Sequence, residues 1–65
     1  MARVRRYGYI LEWYIGDHVP RHVHVYFKGR LLGRFDVDRM QPIENWKADK
    51  KLIKLIEELK LEERL

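Results

Sequence analysis

All three histidines of the chain fall in one stretch, Asp17-His18-Val19-Pro20-Arg21-His22-Val23-His24. On an extended strand His22 and His24 stand two residues apart and project from one face. A loop containing Pro20 would bring His18 back over them. Three imidazoles at one place suit a divalent transition metal, with Asp17 or Asp36 as a further ligand. Imidazole also titrates near neutral pH, so His18, His22 and His24 fit general acid and base chemistry equally well. A plainer use is structural: His22 and His24 as the polar face of an amphipathic strand, His18 as a hydrogen-bonding loop residue. All of these uses stay open on the sequence.

Composition narrows the chemistry around that cluster. The chain has no Cys, Ser or Thr, which removes the usual covalent nucleophiles and any thiolate zinc site. No phosphate-binding glycine loop, dinucleotide fingerprint or paired-carboxylate signature is present, so nucleotide hydrolysis, redox cofactors and glycoside cleavage have no support. Cleavage of RNA remains compatible, because the substrate supplies its own 2′-hydroxyl. The absence of Cys points to the cytoplasm. Glu12 breaks the apolar stretch behind the N-terminal arginines, which speaks against a signal peptide, and no apolar run is long enough to cross a bilayer. One Asn and one Gln among many Lys, Arg and Glu lean toward the composition of thermophile proteins.

The net charge of +4 is unevenly placed. Residues 1–30 carry six Lys or Arg against two acids, whereas residues 31–65 carry eight of each. Basic residues interleaved with Tyr7, Tyr9, Trp13 and Tyr14 could meet a nucleic acid through phosphate contacts and base stacking. Aromatics dominate the cores of small proteins, however, so these rings are expected chiefly inside.

The elements that must position the histidines read as follows. Sixty-five residues make one domain, 1–65. Residues 4–15 suggest a long strand bending at Gly8, followed by a loop through Pro20. Residues 22–27 alternate cleanly, with Val23, Val25 and Phe27 on one face and His22, His24 and Tyr26 on the other. Residues 31–38 suggest the next strand, with Leu31, Gly33, Phe35 and Val37 facing the core. Keeping both apolar faces together then calls for a three-residue connection, Lys28-Gly29-Arg30. Residues 40–43 form a short fourth strand or a crossover. Asn45 would cap a helix over 46–62 whose Ala48, Leu52, Leu55, Ile56 and Leu59 recur at helical spacing. The expected fold is α+β: a three- or four-stranded antiparallel meander with one C-terminal helix on its apolar face. That helix is charged against its dipole, with Lys47, Lys50, Lys51 and Lys54 at the start and Glu57, Glu58, Glu62 and Glu63 at the end. Lysines at a helix N-terminus would attract phosphate, while a pair such as Lys54 with Glu58 is ordinary surface charge.

Tyr7-Gly8, Tyr14, Asp17-His18-x-Pro20-x-His22-x-His24-Val25-x-Phe27 and Phe35-Asp36-Val37 together resemble a family of small bacterial and archaeal proteins of unknown function. Its signature is an acidic residue followed by His-x-Pro-Pro-His-x-His-Val, and the resemblance covers residues 7 to about 38. Members are often encoded beside a second small protein, in the manner of toxin–antitoxin pairs. The resemblance therefore implies a functional site at Asp17, His18, Pro20, His22 and His24, and a small partner protein encoded nearby. Arg21 replaces the second proline of the signature, which adds a cation beside the histidines and favours an anionic ligand.

The function expected on these grounds is a nucleic-acid-directed module of the toxin–antitoxin type, with RNA as partner and endoribonuclease activity as its sharpest form. His18, His22 and His24 would move protons, Arg21 and Arg34 would bind the scissile phosphate, and Lys50 and Lys54 would follow the backbone. Two alternatives stand beside it. One is a non-enzymatic interaction protein, dimerising or binding a partner through an exposed strand edge. The other is a binding domain stabilised by a transition metal on His18, His22, His24 and Asp17.

Overall fold

A computed structural model describes residues 2–14 and 22–65 of the chain. They form an α+β fold: five antiparallel strands in the order β1-β2-β3-β4-β5, followed by one helix. The strands are β1 (Ala2–Arg6), β2 (Tyr9–Trp13), β3 (His22–Phe27), β4 (Arg30–Asp36) and β5 (Gln41–Ile43); helix α1 spans Lys50–Leu61. Each strand pairs with its sequence neighbour, so the expected meander stands with one more strand than anticipated.

The extra strand comes from the N-terminal segment, which is not one bent strand. Arg6 pairs with Tyr9 across a two-residue turn, with Tyr7 at φ 56° and Gly8 at φ 84°. Two successive positive φ values reverse the chain with the twist a hairpin needs, and Gly8 supplies one of them without strain. Residue 15, the expected end of that strand, lies outside the described residues.

The connection between β3 and β4 also differs from expectation. Phe27 pairs with Arg30, and Lys28 (φ 50°) and Gly29 (φ 82°) form another two-residue turn. By itself this turn would put Phe35 on the wrong face. A bulge restores the phase: Tyr26 pairs with Leu31 but Val25 pairs with Gly33, leaving Leu32 as the extra residue. Phe35 is thereby fully buried, while Leu31, expected in the core, is 61% exposed. Beyond β4, Val37 remains buried in the turn that leads to β5, and Asp36 Oδ1 accepts a 3.0 Å hydrogen bond from Arg39 N there.

One face of the sheet is covered. Val4, Tyr9, Leu11, Trp13, Val23, Val25 and Phe35 join Leu52, Leu55, Ile56 and Leu59 of α1 in a single cluster. Each fully buried aliphatic or aromatic side chain contributes about 1.5–3 kcal/mol, which is how a chain without disulfides holds its helix on the sheet. The helix starts later than its apolar spacing suggests. Asp49, not Asn45, is the cap, and its Oδ1 accepts from Leu52 N at 2.9 Å. Trp46 is instead turned toward β4, where its indole Nε1 donates to Arg34 O at 3.2 Å.

The reversed charges of α1 acquire a structural use at its C-terminal end. Arg6 of β1 donates to both carboxylate oxygens of Glu62 at 2.9 Å and to Glu58 Oε1 at 3.3 Å. Tyr7 Oη donates to the other Glu58 oxygen at 2.8 Å. The acids at the helix end therefore clamp the first hairpin, offsetting their unfavourable place in the dipole. Among the described residues no helix is long and apolar enough to cross a membrane.

Candidate functional site

The expected site residues that are described on the strands lie on the face of the sheet opposite α1. Period-two alternation sends His22, His24 and Tyr26 of β3 away from buried Val23 and Val25. Antiparallel register then builds rows across the strands. One row runs Arg3, Glu12, His24, Arg34 and Ile43; the next runs Arg5, Ile10, Tyr26 and Leu31; a third holds His22, Asp36 and Gln41. His22 is exposed and His24 half-buried, with ring centroids 6.2 Å apart and planes at 75°.

Two ion pairs brace the middle row. Arg3 Nε stands 3.4 Å from Glu12 Oε2, and Arg34 Nη2 donates to Glu44 Oε1 at 3.2 Å. Beyond the end of β5, a groove of about 380 Å³ opens beside Arg34. His24, Leu31, Leu32 and Ile43 line it from the strands, and Glu44, Asn45 and Trp46 line it from the segment that leads to α1. Gly33 is what admits the indole. Its φ is +143°, and a Cβ there would meet Trp46 Nε1 at 2.6 Å. Glu44 is also held at positive φ, 73°, a conformation that costs a non-glycine residue on the order of 1 kcal/mol or more and aims its carboxylate back at Arg34.

The structure thus brings together His22, His24, Arg34 and Asp36 from the expected set, with Asp36 opposite His22. Lys50 and Lys54 do not join them. They sit on α1, across the sheet from the histidines, and Lys54 Nζ lies 5.8 Å over the ring of Tyr7. Asp17, His18, Pro20 and Arg21 lie outside the described residues. Among the described residues no three His, Asp or Glu side chains are grouped so as to hold a metal ion. A groove at Glu44, Asn45 and Trp46 is not expected from the sequence, where Asn45 reads as a helix cap and Trp46 as the start of the helix. The three residues sit in a loop without periodicity, and Glu44 comes to Arg34 only through the pairing of β5.

Folding shifts titrations where α1 meets the sheet. Burial pushes the Tyr9 phenol up to about 12, with the Asp49 carboxylate adding to the effect. The hydrogen bond from Leu52 N holds Asp49 below the usual carboxylate range. That from Arg6 does the same for Glu62. These shifts mark the packing of α1 on the sheet.

The chain matches no protein-family model, and comparison with curated proteins and with solved structures likewise gives no match.

Proposed function

We propose that the protein is a nucleic-acid-directed module whose uncovered sheet face binds single-stranded RNA, with His22 and His24 placed to act on a phosphodiester. One observation carries this reading: Arg3, Arg5 and Arg34 share that face with Tyr26, His22 and His24. A sheet that leaves one face open, with a ring to stack on and cations around it, suits unpaired bases and their phosphates. A toxin–antitoxin role would have such a face act on RNA.

The chemical form of the reading follows from the spacing. One imidazole takes the proton of the 2′-hydroxyl as its oxygen attacks the adjacent phosphorus. The other gives a proton to the departing 5′-oxygen as the phosphorus–oxygen bond breaks. A 2′,3′-cyclic phosphate and a free 5′-hydroxyl result, so no nucleophile from the protein is required. Arg34, the cross-strand neighbour of His24, supplies positive charge beside the phosphate, and Asp36, opposite His22, can orient its ring.

Three arginines against Glu12 and Asp36 predict weak, moderately salt-dependent binding. Three phosphate contacts on a single strand give a slope of log K against log salt of roughly −2. Anisotropy of labelled single-stranded RNA across a salt series measures it. Exchanging Arg3, Arg5 and Arg34 for Gln should flatten the slope, and no binding at low salt would remove the reading. Cleavage, if His22 and His24 perform it, should fall at least about 100-fold in His24→Gln.

A further inference from the structure

The groove beside Arg34 joins features that point to one kind of occupant. Its walls are apolar at Leu31 and Ile43 and aromatic at Trp46, which suits a flat ring. Its polar groups include the paired Glu44 and Arg34, together with Asn45 and His24. At about 380 Å³ it is the size of a single nucleotide rather than a folded partner's side-chain cluster. Glu44 engages Arg34 through one lone pair of Oε1, and each carboxylate oxygen carries two acceptor sites, so both oxygens can still accept from a ligand. A carboxylate accepts and does not donate. Among RNA bases, guanine alone presents two neighbouring donors, N1–H and the N2 amino group, without an intervening acceptor. Adenine and cytosine set an acceptor beside their amino donor, and uracil flanks its single N3–H with two carbonyls. Arg34, a donor with no acceptor, suits the O6 and N7 edge of the same base.

We propose that this groove is a guanine pocket, in which Glu44 accepts from the Watson–Crick edge while Trp46 and Leu31 hold the ring. The inference rests on the RNA reading above and adds to it a base preference at one position. The pocket lies beside His24, so a bound guanine would fix which phosphate reaches the imidazoles.

The test uses full-length protein and four labelled heptamers, U7, U3GU3, U3AU3 and U3CU3, at low salt. U3GU3 should bind about tenfold more tightly than the other three, in line with one good bidentate base contact. Glu44→Gln replaces one of the two carboxylate oxygens by an amide donor, so the paired acceptance is lost and U3GU3 should fall to the level of U7. Glu44 has a side chain 74% exposed, so the variant is expected to keep its fold, and its melting temperature checks this. Equal binding of all four heptamers, a preference for adenine or cytosine, or a guanine preference that survives in folded Glu44→Gln would overturn the pocket while leaving the RNA reading intact. Failure of every heptamer to bind would remove both.

Discussion

Gly33 decides where Arg34 and Trp46 go. It stands just after the extra residue of the β4 bulge, at φ +143°, with the indole in the space a Cβ would need. Any side chain here meets Trp46 Nε1 at 2.6 Å and Cδ1 at 3.0 Å, and the indole is also tied to Arg34 O. Gly33→Ala should therefore lower stability by about 1–3 kcal/mol, from backbone strain and the displaced ring together. A denaturant midpoint measures the loss, and Trp46 fluorescence should shift as the indole leaves its place. An unchanged midpoint would mean that the bulge relaxes freely and does not fix the groove. In the sequence Gly33 looks like one more position on an apolar face. A bulge changes the phase of a strand without changing its residue types, so nothing in the alternation of 31–38 reveals it.

At the scale of the elements, α1 is a 12-residue helix, too short to persist alone in water. Its four buried residues, Leu52, Leu55, Ile56 and Leu59, hold it to the sheet, and Asp49 satisfies an otherwise unpaired N–H. Asp49→Ala should cost about 1 kcal/mol, whereas Asp49→Asn, which keeps the acceptor, should cost far less. Equal losses in the two variants, read from denaturant midpoints, would show that charge and not capping matters at this end. Core spacing made the helix legible; its start was not. Asn45 and Asp49 are equally good caps by residue type, and the choice falls to Asp49 because Trp46 is drawn to β4. The β1–β2 hairpin was hidden for a related reason. Tyr7 is a strand-forming residue, so an aromatic run continues unbroken through a turn that Gly8 alone marks. By contrast β3 was plain, since strict alternation over six residues admits one assignment.

Across the whole molecule, the sheet divides the chain's chemistry into two sides. His22, His24 and Arg34 were legible as sharing one face because period two and antiparallel pairing fix it. Lys50 and Lys54 were not separable from them in sequence, because only the packing of α1 puts the sheet between. On the helix side, Arg6 links β1 to the end of α1 and holds the Glu62 carboxyl below its usual range. A carboxyl whose titration is depressed by folding stabilises the protein above its ordinary value of 4.5, and that contribution is lost as the pH falls through the lower folded value. Asp49 acts in the same direction from its ordinary value of 3.8. Melting temperature should thus decline as the pH falls below these two ordinary values. Arg6→Gln returns Glu62 toward its ordinary titration, so the variant should start lower at neutral pH and decline less on the acid side, with wild type and variant converging at low pH. Screening should also narrow the gap at neutral pH in 1 M salt, since the pair is solvent-exposed. Parallel acid limbs for the two proteins would show that the link between β1 and α1 carries no part of the pH dependence.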